Sequence, residues 1–273
     1  MLKALVRHGV TADLVVGASV GAINAAYFAA DPNSDGVARL ELVWQRLTRA
    51  DIFPLSPLNS LLGLFGKRSH LVTSAPLRLL IESELPLKNL EDTRVFCYVT
   101  ATDVLKGTEV VLSSGPAVEA LLASAAIPAI FPFVRIADRQ LMDGGITNNT
   151  PISVAVDLGA TRVVVLPTGI SCALQQPPVG AMAVGLHALN LLIMRQLVDD
   201  LKRFEDAVEL VTVPPLCPLI TTPYDFSHSK ELIRRAEATT RLWLKNGGLE
   251  RAEIPGALEP HSHTHAEVAN ATT

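Results

Sequence analysis

Apolar runs that suit strands alternate along the chain with longer stretches that suit helices. Leu14-Val15-Val16 is a short apolar run that stops at Gly17, and the alanine-rich stretch from Val20 to Ala30 follows it. This pattern predicts a strand, a sharp turn and a helix. The same reasoning predicts strands over residues 95–101, 109–112, 162–166 and 208–213, a strand ending at 142, and helices over 115–126, 150–158, 179–198 and 229–246. Such alternation indicates the α/β class.

The length of 273 residues suits one large α/β domain or two small ones. Because neither an internal repeat nor a linker interrupts residues 1–248, we expect them to form one domain. Residues 249–273 are polar and contain several Pro, His and Thr residues, so we expect this tail to be disordered.

Composition excludes several classes of protein. Hydrophobic residues make up 49% of the chain and charged residues 18%, below the ~25% charged fraction of typical domains, so the chain is not intrinsically disordered. Its net charge of −4 predicts no basic face for nucleic acid. The longest uncharged run, Val163 to Met194, is broken by prolines and glutamines and predicts no membrane-spanning helix. Charged residues near the N-terminus argue against a secretory signal.

The cysteines indicate a reducing, cytoplasmic compartment. Cys97, Cys172 and Cys217 are odd in number, far apart and without a CxxC pair, so they predict neither a zinc site nor a disulfide framework. Cys172 could be a thiol nucleophile by residue type, but a small core residue is the better interpretation. We therefore expect neither a metal nor a cofactor.

The first candidate for chemistry is the GxSxG sequence formed by residues 17–21. A serine nucleophile must be exposed on a strained turn between a strand and a helix, where close packing requires Gly or very small residues on both sides. Gly17 and Gly21 supply them around Ser19, and the backbone N–H of Val20 lies where it could stabilise an oxyanion. The alternative is a glycine-rich turn that only packs closely.

The second candidate is Asp143, which ends an apolar strand and is followed by Gly144 and Gly145. A carboxylate there could accept the proton of the serine directly. Asp-Gly is also the commonest hairpin-turn pair, so a structural role is the alternative. Sequence spacing alone does not bring Asp143 and Ser19 together.

Several separated motifs give the chain a family resemblance. The serine turn with its alanine-rich helix, the run Ala123–Pro132, and Asp143-Gly144-Gly145 followed by Asn149 and Pro151 resemble the bacterial patatin-like phospholipases, from Met1 to about Gly248. The resemblance implies a three-layer α/β/α sandwich that hydrolyses acyl esters of lipids with a Ser-Asp dyad. By motif match, Ser19 would be the nucleophile and Asp143 the base.

The histidines fit a dyad better than a triad. His261, His263 and His265 lie in the polar tail, His8 precedes the serine turn and His70 follows Lys67-Arg68. Only His187 and His228 then remain as candidates for a third catalytic residue. Each of these two has a simpler interpretation as a structural helix residue.

One family feature has no counterpart in the sequence. Family members carry a Gly-Gly-Gly-x-Arg-Gly oxyanion loop after a first strand, some two dozen residues before the serine. Met1 to Val10 matches the helix that follows that loop, so we expect the first strand and the loop to be missing. Only the N–H of Val20 would then remain, and losing one oxyanion donor typically costs ~10²–10³ in rate.

A segment rich in leucine and phenylalanine could control access for lipids. Ile52 to Gly66 is uncharged and is followed by Lys67-Arg68, a combination that suits a lid lying on an anionic bilayer. A covered loop that packs on the core is an equal alternative.

The sequence thus predicts a cytoplasmic serine acyl hydrolase that acts on phospholipids or related acyl esters and makes peripheral contact with membranes. An acyltransferase that passes the acyl group to an acceptor other than water is the second interpretation. A non-catalytic module that binds lipid or a protein partner is the third, and the missing loop favours it.

Overall fold

The computed structural model describes residues 1–53, 69–168, 172–174, 176–221 and 225–264. Within them the chain forms two compact units. The large-sheet unit is Thr11–Ala155, and the small-sheet unit combines Met1–Val10 with the residues from Val156 onward. The single domain expected over residues 1–248 stays a prediction.

The large-sheet unit is built on five strands. They are β1 (Leu14–Ala18), β2 (Phe96–Asp103), β3 (Glu109–Leu112), β4 (Val134–Ile136) and β5 (Arg139–Asp143). β1 is parallel to β2, whereas β3 and β5 are antiparallel to it, and β4 pairs with β5. The core of the unit includes Val99, Ala101 and Leu141, all fully buried.

β2 organises the sheet because three strands pair with it. β1 ends with Ala18 opposite Thr100, β5 ends with Asp143 opposite Ala101, and β3 pairs with residues 99–102. Since one edge of a strand cannot pair with two strands at the same residue, β3 occupies one edge and both β1 and β5 occupy the other. The carboxyl ends of β1 and β5 therefore meet at neighbouring positions on β2.

Helices flank this sheet. α2 (Val20–Ala30) packs against β1 and β2, and the later helix α6 (Ala117–Ser124) packs against β2, β4 and β5. Asn33 caps α3 (Ser34–Arg46), since its side-chain oxygen accepts hydrogen bonds from the N–H groups of Asp35 and Gly36. The helices are α2 (Val20–Ala30), α3 (Ser34–Arg46), α4 (Arg49–Ile52), α5 (Ala75–Glu84), α6 (Ala117–Ser124), α7 (Gly145–Asn148) and α8 (Ile152–Asp157).

The small-sheet unit contains two parallel strands, β6 (Arg162–Val165) and β7 (Glu209–Thr212). Its helices are α1 (Leu2–Arg7), α9 (Ala181–Phe204) and α10 (Ser229–Lys245). The carboxylate of Glu237 on α10 forms ion pairs with Lys3 and Arg7 of α1, with N–O distances of 2.9 and 2.6 Å. Beside these pairs lies an apolar cluster formed by Ala4, Leu5, Val213 and Leu244.

The α/β class is confirmed, with a sheet flanked by helices as the sandwich prediction requires. In the described part of the tail, Gly256–Leu258 forms a 3₁₀ helix and Leu258 is buried. The disorder expected for the tail stays a prediction. Residues 265–273 lie outside the described residues. None of the helices in the described part of the chain is both long and apolar enough to span a bilayer.

Candidate active site

Ser19 sits on a strained turn between β1 and α2. It has φ 54° and ψ −127°, in the region that residues with a side chain rarely occupy. Gly17 makes the turn possible, because a Cβ there would lie 2.5 Å from the carbonyl oxygen of Gly21. The strand and the helix are thus in backbone contact, as a nucleophile elbow requires.

Gly21 does not have the steric role that the motif predicts. A Cβ built on Gly21 meets no atom within 4 Å. The close approach therefore depends on the absence of a side chain at Gly17 and on the backbone of Gly21, which is the group that Gly17 contacts.

The structure brings Ser19 and Asp143 into direct contact. Ser19 follows the last residue of β1, Asp143 is the last residue of β5, and these two strand ends meet on β2. The Ser19 hydroxyl donates a hydrogen bond to Oδ2 of Asp143 at 2.6 Å. No imidazole stands between the hydroxyl and the carboxylate.

Asp143 lies in an environment that makes its carboxylate basic. The residue is 5% exposed, and this burial raises the pKa of Asp143 to about 6 by disfavouring the charged form. The hydrogen bonds donated by the Ser19 hydroxyl and by the N–H of Gly145, the latter at 2.8 Å to Oδ1, lower the pKa and only partly offset the effect of burial.

Ser124 connects the two residues of this pair. Its hydroxyl oxygen accepts a hydrogen bond from the backbone N–H of Ser19 at 2.8 Å, and its carbonyl accepts one from the N–H of Gly144 at 3.1 Å. Ser124 is fully buried at the end of α6. In the sequence, Ser124 is part of the family-like run Ala123–Pro132, and no local pattern predicts a role for it.

The two glycines after Asp143 lie in close contact with their surroundings, Gly144 with backbone and Gly145 with side chains. A Cβ on Gly144 would lie 2.3 Å from the carbonyl oxygen of Thr100, and a Cβ on Gly145 would lie 2.8 Å from Oδ1 of Asn149. Thr102, two residues along β2, donates its hydroxyl to the carbonyl of Asp143 at 2.8 Å. The backbone around Asp143 is therefore held by β2.

Val20 begins α2 directly after Ser19 and is 39% exposed. The first N–H groups of a helix have no acceptor within the helix and carry partial positive charge. Next to them, the N–H groups of Ala22 and Ile23 both donate to the carbonyl of Ser19. The N–H of Val20 thus belongs to a helix start beside the serine hydroxyl.

The other predicted candidates make no contact with Ser19 or Asp143 that the structure describes. His187 is on α9 and His228 precedes α10, both in the small-sheet unit, where His228 is 3.8 Å from Asp225. The predicted lid falls almost entirely outside the described residues. Its first residue, Ile52, is buried, and Phe53 stacks on Phe131 with ring centroids 5.5 Å apart.

A second group of side chains was not predicted from the sequence. Cys172 and Cys217 lie beside His261 and His263 in the small-sheet unit, with their ligand atoms within 4.8 Å of one another. The sequence did not indicate this group, because 44 residues lie between the two cysteines. The His-x-His pair in the tail was the one local signal.

Fold and site together define an α/β protein with a serine on a strand-to-helix elbow and a carboxylate within hydrogen-bonding distance of its hydroxyl. The family model described as patatin-like phospholipase matches residues 1–156. The chain belongs to this family, whose name is that of a class of lipid hydrolases.

Curated relatives resemble the chain at low identity. A patatin-like phospholipase domain-containing protein of Caenorhabditis elegans is 26% identical over 174 residues, which are 62% of this chain and 15% of the relative. The neuropathy target esterase of Drosophila melanogaster is 24% identical over 174 residues (62% and 12%). A lysophospholipase of Scheffersomyces stipitis is 22% identical over 169 residues (62% and 10%). The chain thus spans about a seventh or less of their length, and these relatives are eukaryotic, so a closer likeness to bacterial members stays a prediction.

Proposed function

We propose that the chain is a serine acyl hydrolase that cleaves ester bonds of phospholipids or related lipids with Ser19 and Asp143 as a dyad. The observation that carries the proposal is the 2.6 Å hydrogen bond from the Ser19 hydroxyl to the buried Asp143 carboxylate. Family membership and the names of the relatives, an esterase and a lysophospholipase, support the same class of reaction.

In the first half of the reaction, Oγ of Ser19 attacks the acyl carbonyl carbon while Asp143 takes the hydroxyl proton. A carboxylate with an ordinary pKa is a weak base, and the raised pKa of Asp143, about 6, brings it closer to the operating pH. The N–H of Val20 at the start of α2 donates to the developing oxyanion. The tetrahedral intermediate then expels the alcohol, which receives the proton held by Asp143.

In the second half, water hydrolyses the acyl-enzyme. Asp143, again ionised, removes a proton from the attacking water, and the second tetrahedral intermediate collapses to the free fatty acid. Oγ of Ser19 recovers its proton from Asp143, so the site returns to its starting state. Each proton that Asp143 accepts is given back in the same half-reaction.

A lipid substrate also requires contact with a membrane or micelle. The predicted lid, Ile52 to Arg68, supplies this contact in our proposal on the strength of its sequence, since it is apolar and ends with a basic pair.

The test measures fatty acid release from mixed micelles of a phospholipid and from a lysophospholipid. Ser19→Ala and Asp143→Asn should each lose activity by about 10³-fold or more, and nearly equally, because members of one catalytic unit are not additive. His187→Ala and His228→Ala are the matched controls and should keep most of the activity. A histidine variant as inactive as Ser19→Ala would overturn the dyad.

The two alternatives give different products. A transferase would convert an added alcohol or lysolipid into a new ester faster than it releases free acid. A binding module would associate with liposomes and show no turnover that depends on Ser19. Either result would overturn the proposal that the chain is a hydrolase.

A further inference from the structure

Four side chains that favour transition metals converge in the small-sheet unit. Cys172 lies in the connection after β6, and Cys217 lies in the connection after β7. Because β6 and β7 are parallel neighbours, both connections begin at the same end of the sheet, where the carboxyl ends of the strands lie. The tail then returns to this end of the sheet and adds His261 and His263.

Five of the six distances between the ligand atoms are close to those of a tetrahedron around one ion, and the sixth, from Cys172 to His261, is no longer than 4.8 Å. With Zn–S of about 2.3 Å and Zn–N of about 2.0–2.1 Å, tetrahedral geometry separates ligand atoms by about 3.8 Å for S–S, 3.5 Å for S–N and 3.3 Å for N–N. The two Sγ atoms are 3.8 Å apart and the two Nε2 atoms 3.0 Å apart. The S–N distances are 3.2, 3.5 and 3.3 Å for Cys217–His261, Cys217–His263 and Cys172–His263.

Hydrogen bonding alone explains this packing poorly. Nε2 of His263 has three neighbours within 3.5 Å, namely Nε2 of His261 and the sulfurs of Cys172 and Cys217. A neutral imidazole carries a single proton for all three. One cation at the centre would satisfy the four ligand atoms together.

The surroundings orient the ligands for metal binding. Nδ1 of His261 lies 2.7 Å from the carbonyl oxygen of Glu259, so Nδ1 carries the proton and Nε2 presents its lone pair to the centre. The N–H of Leu219 donates to Sγ of Cys172 at 3.4 Å. Hydrogen bonds of this kind are typical of metal-ligating side chains.

The backbone between the ligands is also fastened. The N–H of Ala173 donates to the carbonyl of Leu219 at 3.2 Å, and the guanidinium of Arg235 donates to the carbonyl of Pro218 at 3.1 Å. The two cysteine-bearing connections are thereby joined to each other and to α10. These hydrogen bonds hold the cysteine-bearing connections near their metal-binding positions before an ion binds.

We propose that Cys172, Cys217, His261 and His263 form a structural zinc site. The Cys₂His₂ donor set and tetrahedral spacing select zinc, and four protein ligands leave no open coordination position for a substrate or water. The site fastens the C-terminal tail to the loops after β6 and β7. It does not depend on the proposed hydrolase activity.

The test begins with metal content. The full chain, purified without chelators and dialysed, should contain about one zinc per chain by mass spectrometry of metals. Replacement with Co²⁺ should give the intense visible absorption of a tetrahedral cobalt thiolate centre. Cys172→Ser and Cys217→Ser should each reduce zinc affinity at least tenfold and change the cobalt spectrum.

Matched controls use the same residue types elsewhere. Cys97→Ala and His187→Ala should retain zinc and the cobalt spectrum, because neither residue belongs to the cluster. If the serine variants do not fold, wild-type protein supplies the second measurement. Removing its zinc with a chelator should lower the melting temperature by roughly 5 °C or more, and stoichiometric zinc should restore it.

Three outcomes would overturn the proposal. One is a chain that holds no tightly bound metal and does not respond to added zinc. Another is an intact mass lower by two hydrogens with a mapped Cys172–Cys217 disulfide in place of the metal. The third is a cobalt spectrum that is the same in wild type and in Cys217→Ser.

Discussion

At the scale of single residues, the proposed dyad depends on the burial of Asp143 and on the hydrogen bonds that position Ser19. GxSxG and Asp-Gly-Gly are local patterns, so the sequence alone indicated Ser19 and Asp143 as candidates. It could not predict their contact, which arises where β1 and β5 meet on β2. Ser124 could not be predicted from the sequence, because its hydrogen bond with the N–H of Ser19 forms only in the folded chain.

The pKa of Asp143 predicts the pH dependence of activity. Only the ionised carboxylate can accept a proton, so kcat/KM should fall about tenfold per pH unit below a midpoint near 6, where the pKa of Asp143 lies. Initial rates on a soluble ester from pH 4.5 to 8.5 check this. A rate unchanged between pH 5 and 7 would exclude Asp143 as the base.

The same shift predicts a stability difference with a definite sign. Because the folded-state pKa of Asp143, about 6, is above its ordinary value of 3.8, its contribution to stability is present below pH 4 and is lost as the pH rises through 6. Asp143→Asn removes that loss. The variant should therefore gain on the order of 2–3 kcal/mol relative to wild type between pH 4 and pH 7.5.

Urea unfolding of Asp143→Asn and wild type at both pH values measures this difference. Ser19→Ala serves as the control, because it leaves the carboxylate in place and should not gain stability in the same pH-dependent way. A constant difference between Asp143→Asn and wild type across the range would contradict the burial argument.

Ser124 is predicted to act as a positioning residue. Ser124→Ala removes the acceptor for the N–H of Ser19, so kcat should fall by about tenfold or more while KM changes little. Ser153→Ala, which removes the hydroxyl of a different, half-buried serine of the large-sheet unit, is the control and should retain kcat. An increase in KM with an unchanged kcat in Ser124→Ala would argue against a positioning role.

At the scale of elements, the apolar pattern predicted most of the strands and helices that build the site. Val20–Ala30 and Glu109–Leu112 were predicted with their observed bounds. The short strand β4 was missed because three residues give too little periodicity to detect. Of the two glycines expected to allow close packing at the elbow, Gly17 would place a Cβ against backbone, while a Cβ on Gly21 would have open space.

The elbow offers a matched pair of glycine variants. Gly17→Ala places a Cβ 2.5 Å from the backbone oxygen of Gly21, so it should destabilise the fold by about 2 kcal/mol or more and abolish activity. Gly21→Ala meets no atom within 4 Å and should be neutral or stabilising by up to about 1 kcal/mol, since alanine favours helix. Chemical denaturation of both variants decides, and equal destabilisation would refute the contact argument.

At the scale of the whole molecule, the two proposed sites belong to different units. Ser19 and Asp143 belong to the large-sheet unit, and the four proposed zinc ligands belong to the small-sheet unit. Family matching covers residues 1–156 and therefore does not reach those ligands. The sequence could not predict the cluster, because its cysteines and histidines come together only when the strand connections and the tail have folded.

This division predicts that zinc supports stability more than reactivity. Removing zinc with a chelator at 20 °C should lower the melting temperature while the rate of fluorophosphonate labelling changes by no more than about twofold, because the proposed site is closed to substrate. Parallel thermal melts and labelling time courses test this. Labelling lost in proportion to the zinc removed would mean that the metal acts in the reaction.

The central claim is that Ser19 is a nucleophile activated by Asp143. Labelling with a fluorophosphonate probe, followed by intact mass measurement and peptide mapping, tests it most directly. We predict one adduct per chain on Ser19, no adduct on Ser19→Ala, and labelling of Asp143→Asn slowed by about 10²-fold or more. An adduct that persists on Ser19→Ala, or one mapped to another residue of the wild-type chain, would contradict the claim.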